Sequence, residues 1–134
     1  MIRGLGACVA GLALSGPALA HHSFAMFDAA KTVTMEGTVV SFELINPHSW
    51  LYITAKDASG KSVEWAFEMG GLAAMARVGF QKDWIKPGDR ILVDFHPLKD
   101  GTHGGQYLGA KLADGRDVKG GETGLGPLEN QGLR

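Results

Sequence analysis

The 134-residue sequence has little cysteine and lacks the short motifs that mark common catalytic sites. Its single cysteine, Cys8, lies inside an apolar N-terminal stretch. If that stretch is removed, the chain has no thiolate for catalysis or metal binding and cannot form a disulfide. The GxSxG, P-loop and dinucleotide-binding motifs are also missing, so the sequence points to no catalytic residue.

The sequence also lacks an excess of charge of either sign. Lys and Arg number 13 and Asp and Glu number 14, which gives a net charge of -1 with neutral histidines. A chain without basic excess does not attract polyanions, so we expect no nucleic-acid partner. After the N-terminal stretch, no apolar run approaches the roughly 20 residues that a membrane helix needs. We therefore expect no membrane span in the processed protein.

The N-terminal stretch has the features of an export signal. Arg3 supplies a positive start, residues 5–14 are mostly apolar, and Ala18-Leu19-Ala20 supplies the small residues that a signal peptidase recognises. We predict a signal peptide over residues 1–20 and a periplasmic protein. Cys8 lies too early in the apolar run for a lipid-attachment site.

The remaining chain is predicted to form one domain followed by a tail. Residues 21–118 are sufficient for a single hydrophobic core. Residues 119–134 are rich in glycine and polar side chains, so we expect a flexible C-terminal tail there.

Alternating apolar residues predict five β-strands separated by turn signals. In the first strand the apolar positions change parity between Val39 and Val40, which predicts a bulge in a long, curved strand. Leu72 and Met75 fall at helical spacing, and Gly79 is the expected end of that helix. The predicted strands cover residues 32–45, 49–56, 62–68, 90–96 and 106–112.

This order predicts a mainly β fold, a five-stranded OB-like, partly open barrel with one short helix between strands 3 and 4. A small antiparallel sandwich is the alternative. In the last strand, Leu108, Ala110 and Leu112 are expected to face the core.

All five histidines follow the predicted signal peptide. Cleavage after Ala20 would give His21 a free α-amine, whose ordinary pKa of about 7.7 to 8.0 lets a metal displace its proton near neutral pH. The amine and imidazole of one residue can chelate together, and a third nitrogen would complete a tetragonal set that suits Cu(II). This arrangement is similar to the histidine brace of exported copper proteins and copper-dependent oxygenases. The candidate metal ligands are His21, His22, His48, His96 and His103.

The fold prediction suggests which histidines approach one another. His48 lies in the loop between the first two strands, and His96 and His103 flank the loop between the last two. These loops border the usual ligand-binding face of an OB barrel, so we expect the three histidines near one rim. Met26 is expected to fill the core rather than to supply a thioether ligand.

Other interpretations remain open. Each histidine can simply be solvated or bonded to its own loop, because no zinc pattern such as HExxH is present. Trp50 and Tyr52 share one face of the second strand and could bind a small molecule, a glycan or a protein partner. Glu64 and Glu68 are expected to lie on a solvated strand face.

A set of short motifs spans nearly all of the predicted domain. They are His21-His22-Ser23-Phe24, Phe27-Asp28, Glu36-Gly37, Asn46-Pro47-His48, Trp65, Lys86-Pro87-Gly88-Asp89 and Asp114-Gly115-Arg116. Together they resemble a family of small exported bacterial proteins catalogued as a domain of unknown function. The resemblance implies export, a single domain and a β-barrel-like fold, and it implies no established activity. His21, His22 and His48 coincide with its motif positions.

The sequence therefore predicts a periplasmic metal-binding protein, with copper preferred. His21 would supply its amine and imidazole, and His48 is the best second ligand. Two alternatives are a binding module for a small molecule or periplasmic protein, and a copper-dependent redox enzyme.

Overall fold

The computed structural model describes residues 24–120. The predicted signal peptide, His21, His22 and the predicted tail beyond residue 120 lie outside the described residues. Between residues 24 and 120, no helix is long and apolar enough to cross a membrane. The elements are a 3-10 turn (Phe24–Met26), β1 (Val33–Glu43), β2 (His48–Lys56), β3 (Ser62–Gly70), α1 (Leu72–Arg77), β4 (Arg90–Pro97), β5 (Gly104–Leu112) and β6 (Asp117–Lys119).

Five of the strands form a closed, mixed β-barrel. Their order is β3-β2-β1-β4-β5 with antiparallel neighbours, and parallel pairing of β3 with β5 closes the barrel. The predicted five-stranded, OB-like fold with a helix between strands 3 and 4 is confirmed. The described part of the barrel is closed rather than partly open, and the unpredicted strand β6 pairs with β5.

β1 is long because it pairs with β4 through its first half and with β2 through its second half. The register with β2 shifts immediately after Val39. Val39 is buried, Val40 is exposed, and Phe42 packs against the core. A Cβ on Gly37 would lie 2.6 Å from Ile53 Cδ1, so glycine permits the close approach of β1 to β2. The bulge predicted from the parity change is confirmed.

The core lies inside the barrel, where the alternating side chains of all five strands meet. α1 contributes Met75 to this core, and Gly79, with φ of 74°, follows the helix as predicted. Residues that are almost completely buried include Leu51, Ile53, Phe67, Met69, Val93 and Phe95.

β5 departs from its predicted pattern. A register shift in its pairing with β4 turns Tyr107 into the core, whereas Leu108 is only half-buried. Ala110 and Leu112 face the core as predicted. The hydroxyl of Tyr107 donates a 2.7 Å hydrogen bond to the carbonyl oxygen of Val118, which connects β6 to the barrel.

Candidate functional site

The loop between β1 and β2 is fixed against the start of α1. Gly71 has no side chain to cap the helix, and Asn46 Oδ1 instead accepts a 3.0 Å hydrogen bond from the amide of Leu72. A Cβ on Gly71 would overlap the carbonyl oxygen of Pro47. The peptide bond between Asn46 and Pro47 is cis. These contacts position His48, the next residue, as the first residue of β2.

His48 lies beside a carboxylate on the outer surface of the barrel. Its Nδ1 is 2.9 Å from Glu68 Oε1, and the two side chains are 23% and 12% exposed. In a neutral His48, the carboxylate at this distance favours the tautomer with the proton on Nδ1, because a carboxylate oxygen can only accept. In that tautomer the lone pair that a metal requires is on Nε2.

Glu68 belongs to a row of outward-facing residues that crosses the strands β2, β3, β5 and β4 in that order. Trp50 pairs with Glu68, Glu68 pairs with Gln106, and Gln106 pairs with His96. Gln106 is only 4% exposed although it lies on the outside of the barrel. We call these four residues the outer row. Within the outer row, His96 and Glu68 are separated by two strand spacings, which is about 10 Å.

His96 has a similar arrangement to His48. Its Nδ1 lies 2.8 Å from the carbonyl oxygen of Lys31. A carbonyl oxygen only accepts hydrogen bonds, so Nδ1 of a neutral His96 carries the proton and Nε2 carries the lone pair. In both histidines, an oxygen partner thus fixes the tautomer that presents Nε2, as outer-shell partners do in metal sites.

His103 lies elsewhere. Its ring packs against Trp65, with the ring centroids 4.8 Å apart, and its carbonyl oxygen accepts a hydrogen bond from Ala66. His48, in contrast, pairs with Gly70 of β3. Gly70 is five residues from Trp65 along that strand, a distance of about 17 Å. The expected approach of three histidines to one rim therefore does not extend to His103.

The described histidines do not assemble a complete metal site by themselves. Over residues 24–120, no three His, Cys, Asp or Glu side chains form a group that could hold a metal ion. The predicted chelate needs His21, and His21 and His22 lie outside the described residues. The ligand set that includes them therefore stays a prediction.

The segment that follows these two histidines is attached to the barrel by Phe27. Phe27 is 5% exposed and forms a β-bridge with Leu98, just beyond β4. The amide of Lys99 donates to the carbonyl oxygen of Met26. The interpretation of Met26 as a core residue is wrong, because the residue is 52% exposed.

Trp50 and Tyr52 form an aromatic pair on the outside of β2. Their rings are stacked with centroids 6.4 Å apart and an angle of 25° between the planes. Burial raises the pKa of the Tyr52 phenol, and the charges of Glu43 and Glu64 raise it further. The aromatic pair thus lies in an acidic surrounding.

Sequence reasoning placed Glu68 on the outer face but did not connect it with His48. The hairpin register could have shown this contact. The turn after Lys56 sets Trp50 opposite Glu68, and His48 lies two residues from Trp50 on the same face of β2. No comparable local signal exists for Gln106, because it reaches Glu68 only through closure of the barrel.

Comparison with known proteins identifies one family. The sequence model of DUF6152, a family of unknown function, matches residues 10–107, and this match confirms the predicted resemblance to a family of unknown function. No curated protein and no solved structure matches the chain.

Proposed function

We propose that this chain, which belongs to the DUF6152 family of unknown function, is an exported copper-binding protein in which His21 and His48 hold the metal. The observation that carries the proposal is the contact between His48 and Glu68. A carboxylate beside Nδ1 orients the ring and leaves the Nε2 lone pair for a metal, an arrangement that recurs around the histidine ligands of metal proteins.

His21 supplies the other two nitrogens in this proposal. Removal of residues 1–20 exposes its α-amine, which binds a metal together with the imidazole of the same residue. With Nε2 of His48, the three nitrogens make a tetragonal donor set that suits Cu(II). Met26, an exposed residue, would add a soft thioether ligand that suits Cu(I).

The attachment of the N-terminal segment limits how far His21 can reach over the barrel. His21 is three residues from Phe24, so it can extend only about 10 Å from the described chain. Phe27 is joined to Leu98, two residues after His96 of the outer row. The described chain therefore begins beside the end of β4 that carries His96, and residues 21–23 must reach from there to His48 on β2 for the proposed chelate to form.

The first experiment determines the N-terminus of the exported protein by intact-mass spectrometry. The proposal requires a chain that begins at His21. Copper affinity is then measured by competition with a chromophoric chelator for two preparations, one beginning at His21 and one with Gly-Pro before His21. The added residues separate the α-amine from the His21 imidazole, and proline supplies no amide N–H for an alternative chelate. Affinity should therefore fall by at least 100-fold, since even changes in the residues around metal ligands cost 10- to 100-fold. Equal affinities would remove the amine from the site.

The second experiment tests the contribution of the barrel. Glu68→Gln removes the charge beside His48 and should weaken copper binding by about 10- to 100-fold. Glu64→Gln is the matched control, because Glu64 is on the same face of the same strand. His48→Ala should weaken binding more than Glu68→Gln, whereas His103→Ala should leave it unchanged. Equal loss in the Glu64 and Glu68 variants would contradict the role of the His48–Glu68 contact.

A further inference from the structure

The outer face of β2 presents a second possible binding surface, independent of copper. Trp50 and Tyr52 are half-buried, so their stacked rings are partly accessible to solvent. β2 is paired on both sides, with β1 and with β3. Its backbone therefore has no free edge for an added strand, and a ligand must be recognised by the side chains of this face.

Two exposed carboxylates flank the aromatic pair. Glu43 on β1 pairs with Trp50, and Glu64 on β3 is two residues from Ala66, the partner of Tyr52. Among residues 24–120, neither glutamate has an ion-pair partner within 4.0 Å. The raised pKa of Tyr52 is consistent with both charges acting on this surface.

The aromatic rings and the two carboxylates together favour a positively charged ligand. The face of an aromatic ring carries partial negative charge and attracts ammonium and guanidinium groups. Glu43 and Glu64 add full negative charges on both sides of the rings. Strands 2 and 3 provide the usual ligand-binding face of an OB barrel. Here the charges repel a phosphate backbone and favour a basic ligand.

The spacing of the two carboxylates favours a polypeptide over a small amine. They lie on opposite sides of β2, and their positions correspond to Trp50 and Thr54 along that strand. Two strand spacings and four residues separate their Cα atoms by roughly 16 Å along the sheet. Basic side chains at positions i and i+4 of an extended segment are about 13 Å apart and long enough to reach both carboxylates.

We propose that the Trp50–Tyr52 face binds an extended segment of a partner protein that carries two basic side chains. One cation lies over the aromatic pair beside Glu43, and the other pairs with Glu64. The two carboxylates and the rings then act on the same ligand. This surface adjoins Glu68, which pairs with Trp50, but it needs no copper and is tested without metal, so either proposal can fail without the other.

The test is an NMR titration of the full exported chain in EDTA, followed through the indole signal of Trp50. The probe is a blocked peptide with arginines at i and i+4, Ac-GRGGGRG-NH2, and the control probe replaces both arginines with glutamates. The arginine peptide should bind and the glutamate peptide should not. Binding should weaken as salt is raised.

Two variants locate the site. Glu43→Gln with Glu64→Gln should reduce affinity about tenfold, the combined effect of two exposed ion pairs. Trp50→Leu should reduce it about two- to fivefold. Glu36→Gln is the matched control, because Glu36 is an exposed β1 glutamate engaged by Arg90; it should bind as the unchanged protein does. Melting temperatures of all variants exclude loss of folding as the cause of weaker binding.

Three results would overturn the proposal. The first is that the unchanged protein fails to bind the arginine peptide or binds the glutamate peptide equally well. The second is that the double glutamine variant retains full affinity. The third is that methylguanidinium alone binds as tightly as the peptide, which would assign the surface to a small cation.

Discussion

The contact between the β1–β2 loop and α1 makes Gly71→Ala a sharp test of the structure. Gly71 has φ of -71° and ψ of 179°, which any residue can adopt. The substitution therefore introduces no backbone strain, and its effect is purely steric. The new methyl group would overlap the carbonyl oxygen of Pro47 and lie 2.8 Å from Asn46 Oδ1. The loop must move away from the helix.

The expected loss of stability has two sources. Overpacking of a close contact costs about 1–3 kcal/mol. Displacement of Asn46 also breaks its hydrogen bond to the amide of Leu72, which contributes about 1 kcal/mol. The free energy of unfolding should fall by about 2–4 kcal/mol, equivalent to a decrease in Tm of about 10–25 °C for a domain of this size.

Urea and thermal unfolding of the variant measure this change, and Gly109→Ala is the control. A Cβ on Gly109 would have its nearest neighbour, the carbonyl oxygen of Val118, at 3.7 Å, an ordinary contact. That variant should differ from the unchanged protein by less than about 1 kcal/mol. If Gly71→Ala is as stable as Gly109→Ala, the packing of the loop on the helix is refuted.

Two further predictions concern hydrogen bonds. Tyr107→Phe leaves the carbonyl oxygen of Val118 without its hydroxyl donor and should cost about 1–3 kcal/mol in urea unfolding, with faster hydrogen exchange in β6; unchanged exchange there would contradict the link between β6 and the barrel. The Ser59 hydroxyl, which donates to Asp57 Oδ1, contributes most to lowering the pKa of that carboxyl. Stability from this group is present above the ordinary pKa near 4 and is lost as pH falls through the lowered pKa. Tm measured from pH 6 to pH 2 should fall less steeply for Asp57→Asn, and parallel curves would exclude the effect.

Much of the fold could be predicted because it is encoded in local patterns. The parity change at Val39 and Val40 predicted the bulge in β1, and the apolar spacing that begins at Leu72 predicted α1. The apolar pattern also predicted the β3 face that carries Phe67. Each inference required only neighbouring residues, because side chains alternate along a strand and repeat every three to four residues in a helix.

The errors occurred where contacts between distant segments overrode the local pattern. Tyr107 enters the core because β5 shifts its register against β4. β6 forms because the second half of β5, beyond its pairing with β3, has a free edge. Met26 has an apolar side chain like that of a core residue, but Phe27 occupies the buried position of that segment. Hydrophobicity alone does not determine which of two adjacent apolar residues faces inward.

The candidate site divides in the same way. The sequence alone identified His48 as a ligand candidate, the expected N-terminal histidine at position 21 and the aromatic pair on β2, because each depends on residue type and local spacing. Only the tertiary structure decided that Glu68 lies beside His48, that His96 joins the same outer row, and that His103 does not. Barrel closure pairs β3 with β5 across a long stretch of chain, and the register of that pairing depends on packing throughout the core rather than on any local sequence.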